Sequence, residues 1–227
     1  MVRVTYIGHS CVLIQSNGTQ VVIDPYIEKN IKAILPPKGI NPKLILVTHG
    51  HHDHLGDTVT LAKKCKAKVM ATSELADFLA SKGLDVLRSN FGGKIPFDFG
   101  WVKVWPAMHT SSSEGVDFGL AASFVVSIGG KSIYHAGDTC LTSDMALIGE
   151  DKPIDLACLP IGGVYTMGID NAVKAVGLIK PRVVLPIHYN TFDAIRVDPE
   201  EFSQKIEKLD IRTKPVVLNP GEQLELT

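Results

Sequence analysis

The segment that most constrains this chain is Leu44-Ile45-Leu46-Val47-Thr48, which runs directly into His49-Gly50-His51-His52-Asp53-His54. Apolar and β-branched residues in unbroken succession predict a buried strand. Leu55 to Lys64 predicts the first turns of a helix. The polar cluster therefore falls in a loop at the carboxyl end of a strand, where an α/β sheet leaves a crevice for ligands. His49 and His51 lie two apart, and alternate side chains of extended backbone point the same way, so both imidazoles can converge on one ion. Asp53 and His54, at the helix entrance, can face a neighbouring position. Imidazole and carboxylate together suit zinc, and also iron or manganese.

Read with its preceding threonine, Thr48-His49-x-His51-x-Asp53-His54 resembles the H-x-H-x-D-H signature of the metallo-β-lactamase superfamily of metal-dependent hydrolases. The resemblance implies an α/β (α+β) fold, a four-layer αββα sandwich of two similar halves. It also implies two divalent metal ions, zinc first, with manganese, iron, cobalt or nickel as alternatives.

Composition narrows the setting. The 227 residues, 45% of them hydrophobic, fit a single domain over 1–227 with a substantial core. A formal net charge of −1 offers no footprint for nucleic acid. Met1 to His9 alternates like a strand and lacks the apolar core of a signal peptide. No stretch approaches the roughly 18 apolar residues of a membrane span. A cytoplasmic protein acting on a small molecule is expected, with homo-oligomer formation left open. Cys11, Cys65, Cys140 and Cys158 form no C-x-x-C pair, so neither a disulfide framework nor a thiolate zinc site is indicated.

In chain order, Val2–Ile7, Cys11–Gln15 and Gln20–Ile23 predict strands, the last two joined by a Ser16-Asn17-Gly18 turn. Asp24 ends the third strand and is either a turn former or, by the resemblance, a brace behind the metal loop. His9 either lines the site from the first strand turn or bonds nearby backbone. Residues 25–42, with Pro36-Pro37-Lys38-Gly39 and Asn41-Pro42, predict a surface loop with a short helix and a candidate substrate gate. Strands at Lys68–Ala71 and Asp85–Arg88 flank a helix at Ser73–Ser81. Trp101 and Trp105 fall on one face of a strand and read as core or interface.

His109 closes that strand and opens a polar loop. Further on, Ala122 to Tyr134, ending in His135-Ala136-Gly137-Asp138-Thr139, repeats the opening of the chain as strand, glycine turn and strand. Ser10 to Asp24 spans fourteen positions and Ser123 to Asp138 spans fifteen. A buried strand at Ile154–Pro160, a loop at Ile161-Gly162-Gly163 and a helix at Asn171–Ile179 follow, as their counterparts do in the first half. Arg182–Ile187 predicts a strand leading into His188. A helix near Pro199–Leu209 and a strand around Glu222–Leu226 close the chain.

By the resemblance, His49, His51 and His109 hold one ion, Asp53, His54 and His188 the other, and Asp138 bridges them. Hydroxide shared between the ions would attack a phosphodiester, a lactone or a related ester, with Asp53 holding it and shuttling its proton. His135 is left outside the ligand set. Tyr26, Tyr165, Thr166, Met167 and Tyr189 are pocket candidates by nearness alone; Tyr189, His9 and Asp24 are taken as supporting or substrate-contacting residues. Gly8-His9-Ser10, Ala136-Gly137-Asp138-Thr139 and the compact length resemble a branch of small bacterial and archaeal metal-dependent hydrolases that is similar to L-ascorbate-6-phosphate lactonase and N-acyl-phosphatidylethanolamine phospholipase D. True β-lactamases carry cysteine where Asp138 stands. A non-catalytic metal or ligand sensor and a di-iron redox protein are the alternative readings.

Overall fold

A computed structural model describes residues 1–35, 39–209 and 211–227; the Pro36-Pro37-Lys38 part of the expected loop lies outside the described residues. The chain begins with β1 (Val2–Gly8), β2 (Cys11–Ser16), β3 (Thr19–Ile23) and β4 (Leu44–Leu46). Next come α1 (His52–Leu55), α2 (Thr58–Cys65), β5 (Lys68–Thr72), α3 (Ser73–Ser81) and β6 (Val86–Ser89). The second half holds β7 (Lys94–Phe97), β8 (Gly100–Ser113), β9 (Val116–Ile128), β10 (Lys131–His135), α4 (Met145–Asp151), β11 (Leu156–Pro160), α5 (Ile169–Ile179) and β12 (Val183–Ile187). A 3-10 turn (Asp193–Ile195), α6 (Pro199–Glu207), β13 (Lys214–Pro215) and β14 (Gln223–Leu226) complete it.

Two seven-stranded sheets result, ordered β14-β1-β2-β3-β4-β5-β6 and β13-β12-β11-β10-β9-β8-β7. Each contains an antiparallel hairpin whose second strand is extended by parallel neighbours. In the first sheet β3 pairs parallel with β4, and in the second β10 pairs parallel with β11. The repeat expected from sequence is thus a repeat of topology. One shared apolar core joins the inner faces, with Val4, Ile14, Leu46 and Met70 meeting Val104, Phe124, Val126 and Leu185. A second core packs α4, α5 and α6 on the outer face of the second sheet, and a third packs α2 and α3 on the first. Helix, sheet, sheet and helix layers follow from strands that are apolar on both faces and helices apolar on one.

Three local departures from the sequence expectation matter for the site. The helix expected from Leu55 begins earlier, at His52, and breaks at Gly56-Asp57. Gly56 has φ +41°, and a Cβ there would lie 2.6 Å from the Pro25 carbonyl oxygen, so only glycine lets the loop pass. Asp57 uses the break to accept the backbone N–H groups of Ile27 and Glu28, both at 2.8 Å. His109 opens no loop: it lies inside the 14-residue β8, where the register with β9 shifts between Ala107 and Thr110. Such a bulge re-aims a side chain without ending the strand. Between residues 25 and 42 the described residues form turns rather than a helix. Trp101 and Trp105 pack on the second outer core, with Lys94 and Lys103 over their rings at 4.3 and 4.4 Å.

Candidate metal centre

Asp24, His49, Asp138 and His188 all lie just beyond carboxyl ends of strands, and His9 just beyond β1, so the fold gathers them at one edge of the sandwich. The two halves are tied there by backbone: Ala122 N–H donates to Thr48 O and His188 N–H to His9 O, each at 2.8 Å. Gly137 (φ +59°) lies against the Thr48 side chain, where a Cβ would come within 2.9 Å. His9, Asp24 and His188 take left-handed backbone (φ 57°, 48° and 54°), uncommon for residues with a Cβ and frequent where function fixes geometry.

Fully buried Asp24 lies behind the histidine loop with both oxygens engaged. Oδ1 accepts Thr48 N–H (2.8 Å), and Oδ2 accepts Thr48 Oγ1–H (2.7 Å) and His54 Nδ1–H (2.7 Å). Because the Thr48 hydroxyl hydrogen is spent on Asp24, its contact with His49 Nδ1 (2.9 Å) is donated by the imidazole. One carboxylate and one hydroxyl thereby engage the Nδ1–H of each ring, so Nε2 of both His49 and His54 is the atom turned toward the interior of the cluster.

Three overlapping groups of donor atoms form there, each with its atoms within 4.8 Å of one another: His49, His51 and His109; His49, His54 and Asp138; and His9, Asp53, His54 and His188. Asp138 stands at the centre, 3.1 Å from His188 Nε2, 3.2 Å from His54 Nε2, 3.7 Å from His109 Nε2 and 3.9 Å from His49 Nε2. Asp138 Oδ1, His54 Nε2 and both ring nitrogens of His188 are sealed from water, yet none makes an aligned hydrogen bond. Leaving several buried polar atoms unpaired is costly unless something else satisfies them. A cation held between lone pairs and a carboxylate does so, and the donor set of imidazole and carboxylate is one that divalent metals favour. The residues fit a metal site.

The electrostatics agree. Burial pushes the His49, His51 and His109 imidazoles below their usual pKa, keeping them neutral as ligation requires. Burial works against charge at His54 too, but Asp138 and Asp24 on either side outweigh it and hold its pKa well above normal, so the field there favours a positive charge. Burial would raise the Asp138 carboxyl; His54 and His188 overcome that and keep it ionised.

Around this centre the other expected residues separate. His9 Nε2 lies 3.2 Å from Asp53 Oδ2, and its Nδ1 lies 3.0 Å from Thr191 Oγ1. Burial lowers the His9 pKa to about 4, while the hydrogen bond to His9 and nearby His54 hold the Asp53 carboxyl low despite its own burial. A neutral His9 beside a carboxylate donates from Nε2 and accepts from Thr191 at Nδ1. His135 is absent from every donor group; its Nε2 donates to Ser10 O (2.8 Å) and its Nδ1 accepts Gly137 N–H (3.1 Å), which makes it a satisfied core residue.

A chamber of about 600 Å³ opens over the cluster, lined beyond the expected ligands by His52, Thr110, Tyr165, Phe192 and Ala194. Of the five pocket candidates only Tyr165 lines it. Tyr189 does not: left-handed His188 turns the chain, and Tyr189 lines a separate cavity of about 190 Å³ beside His9 and packs on the helical layer. Tyr26 spends its hydroxyl on Lys29 O (3.0 Å) with its ring edge on His9, and Met167 is buried in the outer core. Phe192 and Thr191 carried no sequence signal, because they lie in an irregular segment with no motif.

Residues 3–188 match the family model described as beta-lactamase superfamily domain. The chain is 44% identical to a UPF0173 metal-dependent hydrolase of Methanosarcina mazei, covering 99% of this chain and 98% of that one. It is 47% identical to a UPF0173 metal-dependent hydrolase of Thermus thermophilus, over the full length of both. The solved structure of Igni18, a novel metallo hydrolase from Ignicoccus hospitalis, superposes with a TM-score of 0.89 at 36% identity, covering 100% of this chain and 99% of that one. The chain belongs to the β-lactamase superfamily and is a metal-dependent hydrolase of the metallo-β-lactamase fold.

Proposed function

We propose that residues 1–227 act as one hydrolase domain holding two divalent cations, zinc foremost, and cleaving a phosphodiester, lactone or related ester in a small molecule. His49, His51 and His109 would hold one cation, Asp53, His54 and His188 the other, with Asp138 between them. The observation that carries this reading is the Asp138 carboxylate set among four imidazoles, with its Oδ1 sealed from water and unpaired. Divalent cations, when bound at such a site, make hydroxide available from water near neutral pH and polarise a carbonyl or phosphoryl oxygen.

The chain's own residues supply the rest. Half-buried Asp53 has Oδ2 tethered by the His9 N–H, which leaves Oδ1 to take a proton from water and pass it to the leaving group. Asp24 and Thr48 keep the lone pairs of His54 and His49 aimed inward. Phe192 and Tyr165 wall the chamber and limit the water in it.

The test is hydrolysis of a chromogenic phosphodiester, phosphomonoester, lactone, thioester and β-lactam by metal-reconstituted protein, with Asp53→Ala compared at matched metal content. One substrate class turns over, and the variant loses roughly 10²–10⁴-fold. A protein that holds no divalent cation after reconstitution rules the reading out.

A further inference from the structure

Resting on that hydrolase reading, we propose that the substrate carries an uncharged, apolar group beside its hydrolysable bond, and that Phe192 sets how large this group can be. The first observation is the charge of the chamber. Among the described residues lining it there is no lysine or arginine. An anionic tail placed beyond the reacting centre would be stripped of water with no cation to meet it, which is strongly unfavourable. Apart from His52, the walls beyond the proposed ligands are two rings, a methyl group and the Thr110 side chain.

The second observation is the rim. Tyr165, which lines the chamber, is 59% exposed, and Val164, its neighbour in the chain, is 75% exposed. Val164 has φ +56°, a backbone conformation that β-branched residues avoid. The tight turn that closes Tyr165 N–H onto Gly163 O (2.6 Å) maintains it. Strain of this kind persists where the surroundings enforce it and is concentrated at ligand sites.

The third observation is what lies behind Phe192. A second cavity of about 690 Å³ adjoins the chamber and shares Phe192 as a wall. Lys32 and Arg196 line it, but so do Asp193 and Asp198. Arg196 is paired with Asp193 at 2.7 Å, and the two carboxylates match the two cationic side chains, so the lining carries no net positive charge. The ring is fixed in place: the His9 ring meets it edge-on at 5.4 Å, and the preceding Thr191 is anchored to His9 Nδ1 at 3.0 Å. Removing the ring would merge the two spaces and admit a longer group.

Metal-reconstituted protein is tested on 4-nitrophenyl acetate, hexanoate, decanoate and the ω-sulfonated hexanoate. In kcat/KM, hexanoate exceeds acetate at least about tenfold, as burial of four methylenes implies, and exceeds its sulfonated analogue by a similar factor. Phe192→Ala raises decanoate relative to hexanoate at least about fivefold, and Phe192→Leu gives an intermediate profile. A preference for the sulfonated tail, or the same chain-length profile in Phe192→Ala, overturns the proposal. Binding is measured separately by ligand-detected NMR, with hexanamide against its ω-sulfonated analogue. If no ester turns over but hexanamide binds selectively and Phe192→Ala changes that binding, hydrolysis of simple carboxylic esters fails while the apolar subsite walled by Phe192 stands. If neither amide binds, or the sulfonated one binds better, the subsite fails.

Discussion

Asp24 and Asp138 stand at the same place in the two halves, each just beyond the second strand of an antiparallel hairpin. Both are buried. Asp24 has three donors on its two oxygens, whereas Asp138 has an unpaired Oδ1 and four imidazoles around it. The repeated scaffold gives each half one carboxylate at the sandwich edge, and the neighbours decide its work. Thr48 and His54 consume the first; the second faces nitrogens already turned toward it. The satisfied carboxylate orients and the unsatisfied one is free to bind.

The loops after β4 and β11 divide in the same way. The first carries His49, His51, Asp53 and His54. The second, Ile161 to Gly168, carries no donor of the cluster and supplies Tyr165 to the chamber wall.

The largest expected effect separates the two aspartates directly. Asp138→Asn lowers metal affinity more than about a hundredfold, beyond what loss of an outer hydrogen-bond partner does, measured as metal content after dialysis against a weak chelator. Asp24→Asn lowers it by about 10–100-fold, because the His54 and Thr48 orientations loosen while the ligands remain. Equal losses in the two variants would break the distinction between them.

Stability sharpens the comparison next. Gly137→Ala forces a Cβ to within 2.9 Å of Thr48 and destabilises by about 1–3 kcal/mol in urea unfolding. Gly130→Ala, also at positive φ but with nothing within 4 Å of the new Cβ, loses only about 1 kcal/mol. Similar values for both would mean that the contact between the two halves at Thr48 is loose.

The smallest effect concerns His135, whose burial lowers its pKa. The folded chain prefers its neutral form, so no stability is lost above the unfolded value of about 6.5. Below that pH the unfolded chain takes up a proton first, and stability falls by at most about 1.4 kcal/mol per pH unit from this residue. NMR titration checks it: the His135 imidazole remains neutral below pH 6.5, and a midpoint at or above that value would contradict its place in the core.

The sequence by itself determined the histidine loop and the hairpin repeat, because these rest on local information, while the layer order came from the family resemblance. A strand that ends in closely spaced imidazoles, a glycine turn between apolar runs and an amphipathic helix at Ser73–Ser81 are each written in neighbouring residues. Tertiary structure decided that His9 joins Asp53, His54 and His188 in one donor group, since His9, Asp53 and His188 are far apart in the chain and meet only through the packing of the halves. It also decided that His109 sits on a bulge, which depends on register against β9 and not on the residues around it. The chamber wall was equally unreadable. Phe192 has no periodicity or motif, and its position follows from a left-handed turn at His188 and an anchor on His9, interactions that exist only once the second half has folded against the first.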